Sequence, residues 1–429
     1  MKRVSMALFA GMVGCAFVQP VSAAAARTFK EKTLYSFGNG TDGRYPGGFI
    51  DVNGILYGTT EYGGSGGPCR FAPGCGTVFS FDTNNGAEKV LYSFCMEKKC
   101  ADGDYPTGNP VYVSGTLYGT TVQGGLGYGT AFSVAANTGF ETVIHSFCSQ
   151  LINGACTDGT SPKAGLIGEN GTLYGTTQGG GAGDGWGTVF ALDPGTGTET
   201  VLHTFCSQKN CTDGAEPVSA LIDVNGTLYG TTLVGGISSC TSNYPPACGT
   251  VFSVDLTTDA ETVVYSFCSQ KKCTDGSNPY SAPIDVNNML YGTTGYGGNS
   301  GCLAGFGCGT VFALDPGTGA ESVLHVFCSQ QDCIDGATPF AGLIEVSGTL
   351  YGTTENGGNS GCGSYGCGTV YSIDPNTDAE NVVYAFCGQT NCTDGANPLA
   401  GLIYANGRFY GTTNNGGAYG YGTVFSLTP

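Results

Sequence analysis

Tryptophan occurs once and histidine three times in this 429-residue chain, and only 15 lysines and arginines face 33 acidic residues. So little base argues against nucleic acid or an anionic lipid surface as a partner, because both are held through basic faces. Charged residues make up 11% of the chain while glycine occurs 75 times, too few long helix-forming side chains for a helical protein. An all-β fold is the first expectation. Beyond the N-terminal segment no apolar run reaches the roughly 18 residues of a spanning helix, so no transmembrane segment is expected in the mature chain.

What is present begins with MKRVSMALFAGMVGCAFVQPVSA, a basic tip, an apolar run and small residues, the layout of a secretory signal over residues 1–23. Its removal with Lys2 and Arg3 takes the formal net charge from −18 to −20. A lipoprotein anchored through Cys15 in MVGC is the minor alternative. Residues 24–32 read as a linker, and 33–429 as a single domain, secreted or held at the cell surface, periplasmic or extracellular.

A repeat governs that domain. LYGTT or FYGTT occurs seven times, with its tyrosine at Tyr57, Tyr118, Tyr174, Tyr229, Tyr291, Tyr351 and Tyr410, at spacings of 61, 56, 55, 62, 60 and 59. Each unit carries four short apolar runs, in the fourth copy SALIDV, TLYGTT, GTVFSVD and ETVVYSF, divided by Gly, Asn and Asp turns. Such runs are antiparallel strands. Four strands in each of seven units predict a seven-bladed β-propeller, with a long β-solenoid as the rival. The chain opens on KTLYSF, a fourth-strand sequence, and ends on GTVFSLTP, a third-strand sequence. That offset lets the N-terminal strand complete the last blade and leaves no open edge.

The seven LYGTT strings, each followed by GG and then GTVF or a variant, resemble the GloVer (Gloeo/Verruco) tandem-repeat family of exported bacterial β-propeller proteins. The resemblance covers nearly the whole mature chain. It implies a propeller on a secreted or surface protein and brings neither an activity nor catalytic residues.

With strands running outward from the axis in chain order, the long loops between second and third strands share one face with the loops between blades. Those loops hold the cysteines. Six interblade pairs are Cys95 and Cys100, Cys148 and Cys156, Cys206 and Cys211, Cys268 and Cys273, Cys328 and Cys333, and Cys387 and Cys392. Four intrablade pairs are Cys69 and Cys75, Cys240 and Cys248, Cys302 and Cys308, and Cys362 and Cys367. An exported chain keeps disulfides, and one C-x4-C pair without a histidine gives zinc only two of its four ligands. Ten local disulfides are therefore expected and no metal, although spacing leaves cross-pairing open. Tyr128, Trp186 and Tyr421 replace the second cysteine in the other blades, where a ring is expected to pack the loop in place of the staple.

Asp-Gly-x-x-Pro recurs in all seven interblade loops, at Asp42, Asp102, Asp158, Asp213, Asp275, Asp335 and Asp394. One reading is a turn; the other is a ring of carboxylates at the channel mouth that attracts cations and binds calcium. His145, His203 and His325 alternate with tyrosine in the fourth strand and read as packing. Glu61, Glu355 and Asp184 offer a carboxylate pair for polysaccharide cleavage, the enzymatic alternative. The preferred function is non-catalytic binding of an extracellular glycan, or else a protein, through Tyr62, Tyr128, Trp186, Tyr296, Asn356, Tyr365 and Tyr421, since rings stack on sugars and amides bond hydroxyls. A purely structural or adhesive surface protein is the third reading, and a monomer is expected.

Overall fold

The computed structural model describes residues 29–429 except 39, 68, 70–73, 184, 238–247, 299–301, 303–304 and 359. The signal sequence, Cys15, Asp184 and Cys240 lie outside the described residues. Seven antiparallel sheets of four strands each form a seven-bladed propeller. Blade 1 runs Arg44–Val52, Ile55–Tyr62, Thr77–Asp82 and Glu88–Ser93, from the axis outward. Blades 2 to 6 repeat that order, and the innermost strands enclose a central cavity of about 1040 Å³.

Blade 7 takes Ile403–Ala405, Arg408–Thr413 and Thr423–Thr428 from the C-terminus and its outermost strand, Lys30–Ser36, from the N-terminus. Lys30 pairs with Thr428 and Ser36 with Thr423. The closing strand thus begins at Lys30 and takes the last three residues of the expected linker. The cause is visible in the sequence: EKTLYSF from Glu31 matches EKVLYSF from Glu88, and Glu31 and Glu88 face the equivalent partners Leu427 and Phe81.

Four letters of LYGTT have a plain physical task. The leucine is buried in every copy that carries it, as at Leu56 and Leu117. The glycine lies opposite the Phe of GTVF, Gly58 against Phe79 and Gly230 against Phe252, and a Cβ would stand 2.8 Å and 2.6 Å from those rings. Only glycine lets the ring lie flat across the strand. The first threonine reaches the next blade, with Thr59 Oγ1 donating to Gly108 O at 3.1 Å and, across the closure, Thr412 Oγ1 to Gly47 O at 2.8 Å. The second bonds the threonine of GTV, as Thr60 does Thr77 at 2.9 Å.

The core lies between blades. Third-strand rings meet fourth-strand rings of the preceding blade edge to face, at centroid distances of 5.3 Å for Phe37 and Phe79, 4.9 Å for Phe94 and Phe132, and 5.2 Å for Phe147 and Phe190. Phe205 and Phe252, Phe267 and Phe312, Phe327 and Tyr371, and Phe386 and Phe425 complete the circle at 4.8 to 5.1 Å. Tyr371 alone brings a hydroxyl to this place, fully buried and without a hydrogen-bond partner. A buried unpaired polar group costs roughly 1–3 kcal/mol. Tyr371→Phe, which restores the residue of the other six blades, is predicted to stabilise the protein by about 1 kcal/mol in denaturant titration; an equal loss would show that the hydroxyl is bonded.

Candidate functional site

The disulfides form as local pairs. Nine join the predicted partners among the described residues, from Cys69–Cys75 to Cys387–Cys392. Sequence reasoning treated each loop separately and missed that the intrablade and interblade pairs meet. The Sγ atoms of Cys302, Cys308, Cys328 and Cys333 lie within 4.8 Å of one another, as do those of Cys362, Cys367, Cys387 and Cys392. The two-ligand objection to zinc therefore does not hold for these loops. It holds in blades 2 and 3, where the interblade pair stands without an intrablade one. Pairing in those blades and in the stapled ones follows one pattern, which is that of disulfides.

The seven aspartates are not at the channel mouth. Asp102, Asp158, Asp213, Asp275, Asp335 and Asp394 are fully buried and Asp42 nearly so, and none lines the central cavity. Each turns outward to the fourth strand of the preceding blade. Asp102 accepts from Tyr92 Oη at 2.8 Å and from the backbone N–H groups of Met96 and Glu97. Asp394 does the same with Tyr384, Gly388 and Gln389, and Asp42 accepts from Tyr35 at 2.7 Å. Where tyrosine is replaced, His145, His203 and His325 place Nε2 at 3.3, 3.6 and 3.4 Å from Asp158, Asp213 and Asp335. His145 thus pairs with its aspartate, while His203 and His325 pack beside theirs without a hydrogen bond at Nε2. In six of the seven both aspartate oxygens face protein donors, which favours the turn over calcium.

A residue type that the sequence reading passed over completes each junction. Glu31, Glu88, Glu141, Glu199, Glu261, Glu321 and Glu380 open the seven outermost strands and lie beside the aspartate of the junction before them. Burial, then repulsion from Asp102 and Asp158 respectively, pushes Glu141 and Glu199 up to about 8. The other five are raised to about 7, chiefly by burial.

The face above the cavity is built differently. The residue before each proline has a left-handed backbone: Tyr45, Tyr105, Ser161, Glu216, Asn278, Thr338 and Asn397, with φ from 53° to 59°. This conformation is unfavourable for all seven. It belongs to the frame, because each N–H donates to the preceding blade, as Tyr105 does to Cys75 O and Glu216 to Trp186 O. One backbone pattern therefore carries seven different side chains around the mouth. Glu61 lines the cavity there with Lys163, and burial raises its carboxyl above the ordinary range. Glu355 is raised for the same reason, and Asn356 Nδ2 donates to it at 3.1 Å and to Thr338 Oγ1 at 2.7 Å.

The predicted aromatic residues divide. Tyr62 packs between Tyr45 and Tyr105, Tyr296 packs on Phe340, and Tyr421 is covered by the Arg44 guanidinium at 4.2 Å. Tyr128, Trp186 and Tyr365 project, 46%, 49% and 64% exposed. The expectation that Tyr128 and Trp186 fill the place of a staple is thereby corrected, since Cys75, Cys308 and Cys367 at that place are fully buried. Phe306 and Tyr419, which sequence reasoning missed, are similarly exposed in blades 5 and 7. Blades 2, 3, 5, 6 and 7 each present a ring from the loop between second and third strands.

Residues 70–303 and 149–365 match the Gloeobacter/Verrucomicrobia repeat. No curated protein matches the chain significantly. Among solved structures the chain is similar to an oligogalacturonate lyase from Vibrio parahaemolyticus, at 10% identity and a TM-score of 0.51, covering 94% of this chain and 97% of that one. An oligogalacturonate lyase in complex with manganese gives 11%, 0.47, 94% and 90%, and a nidogen/laminin complex 12%, 0.42, 72% and 91%. At such identities the likeness is one of fold alone.

The junction glutamates set a pH dependence. Their protonated form is favoured in the folded chain up to about pH 7 or 8, against an ordinary value of 4.5. Between those limits the folded state binds more protons than the unfolded one, so stability falls as pH rises. His203, lowered by burial against the pull of Asp213, acts in the opposite sense but is one group against seven. Thermal melting at constant ionic strength is predicted to give a higher Tm at pH 5 than at pH 8; the reverse order would contradict the junction assignment.

Proposed function

The chain belongs to the Gloeobacter/Verrucomicrobia repeat family, and from the loop face of its propeller we propose that it is an exported, non-catalytic binding protein for extracellular carbohydrate. The observation that carries this reading is the series of exposed rings, Tyr128, Trp186, Phe306, Tyr365 and Tyr419, one on each of five blades. Such rings stack on the apolar faces of sugars, and the acids and amides beside them, Gln178, Glu216, Glu355 and Asn356, bond hydroxyls. A protein partner calls for a contiguous apolar patch, whereas these rings stand singly among glycine-rich loops. Rings that recur from blade to blade fit a polymer that repeats its own unit.

Disulfide-ordered loops support export, and no helix among the described residues is long and apolar enough to cross a membrane. One observation favours a second reading: Glu61, a desolvated carboxyl at the cavity mouth with Lys163 nearby, has the character of a general acid. A single experiment separates the two. The purified protein, applied to an array of neutral and acidic glycans, is predicted to bind a subset with affinity that rises with chain length, and to release no reducing ends from it. Absence of binding across the array would overturn the carbohydrate reading, and released reducing ends lost in Glu61→Gln would make the protein an enzyme.

A further inference from the structure

Blade 3 departs from its six relatives at one position beside the only tryptophan. The second residue after YGTT is Tyr62 in blade 1, Gln123 in blade 2, Val234 in blade 4, Tyr296 in blade 5, Asn356 in blade 6 and Asn415 in blade 7, but Gly179 in blade 3. The backbone does not ask for glycine there. Gly179 pairs with Thr160 as Asn356 pairs with Ala337 and Asn415 with Ala396, and it is not in the left-handed region. The nearest atom to a Cβ built on it is Thr160 Oγ1 at 2.7 Å, the end of a rotatable side chain. In blades 6 and 7 the amide at this place donates to the left-handed residue of its own blade, Asn356 to Thr338 at 2.7 Å and Asn415 to Asn397 at 3.3 Å. In blade 3 Gly179 has no side chain to offer Ser161 such a bond.

A hollow of about 210 Å³ lies there, lined by Thr160, Ser161, Gln178, Gly179, Trp186 and Glu216, and blade 5 has one of equal size beside Tyr296. That is below the roughly 300–1,000 Å³ of sites for larger ligands, and suits a single ring. Trp186, half exposed, forms one wall and is held at its carbonyl by the Glu216 N–H at 2.7 Å. Gln178 Nε2 donates to Glu216 Oε2 at 3.1 Å, which fixes an amide and a carboxylate side by side as acceptors for hydroxyl groups. A flat apolar wall and paired acceptors lining one hollow match a pyranose, which has an apolar face and a rim of hydroxyl donors. Glu216 and the formal net charge of −18 disfavour an anionic sugar.

We infer that the hollow at Gly179, walled by Trp186 and the Gln178–Glu216 pair, is a subsite for one uncharged pyranose unit of a polysaccharide. The inference rests on the carbohydrate reading above and narrows it to a place and a charge class. The test measures affinity of the full chain for the neutral oligosaccharide best bound on the array, by calorimetry, in three variants. Gly179→Asn installs the residue that blades 6 and 7 already carry, so it fills the hollow without burdening the fold. Trp186→Ala removes the wall, and Phe140→Ala, an exposed ring in a loop on the opposite face, is the control.

The first two are expected to weaken Kd by about tenfold or more at unchanged Tm, and the control to leave Kd unaltered. If the wild type binds neutral glycans and both site variants bind as well as it does, the subsite is wrong while carbohydrate binding stands. If only acidic glycans bind, the charge assignment fails and the subsite with it. If no glycan binds, both readings fall.

Discussion

The edge-to-face contact between a fourth-strand phenylalanine and the third-strand ring of the next blade is the joint on which this protein depends. Such pairs contribute about 0.5–1.5 kcal/mol beyond the area they bury, and here the contact recurs at every junction, including Phe37 against Phe79 where the ends meet. It dictates much of the repeat. The ring needs the glycine of LYGTT beneath it, and the threonine that follows ties the same two blades at the innermost strand. A chain lacking residues 30–37 would lose one strand, one aromatic joint and one aspartate partner together. Closure is therefore part of the core and not a clasp added to it.

A frame so uniform separates what supports from what varies. The aspartate of each interblade loop is buried against a tyrosine or histidine and ties the loop root to the outer strand. Disulfides then order the loop beyond that root. Against this background seven left-handed residues, identical in backbone, bring Tyr, Tyr, Ser, Glu, Asn, Thr and Asn to the same ring position. Chemistry that differs from blade to blade on an unchanging backbone fits the proposed recognition face.

Much of this was legible in the sequence, for identifiable reasons. Period, strand count and the offset of KTLYSF from GTVFSLTP are properties of the chain's order, so they gave blade number and closure without any coordinates. Local disulfides followed from spacing. The direction in which a side chain turns is not carried by order. Asp-Gly-x-x-Pro reads equally well as a channel ring or an outer anchor, and only the contact from Tyr92 to Asp102 decides for the anchor. A signal was nevertheless present: the position accepts Tyr and His but never Phe, which asks for a donor. Gly179 was invisible among so many glycines until its backbone proved not to require one.

Hydrogen exchange of the protein with and without a saturating bound glycan tests the central claim, that recognition lies on the variable loop face of an invariant frame. The account predicts added protection in residues 160–163, 178–187 and 216–218, with the turns between third and fourth strands, such as residues 136–140 and 193–198, unchanged. Protection confined to those turns, or to the outermost strands, would contradict it.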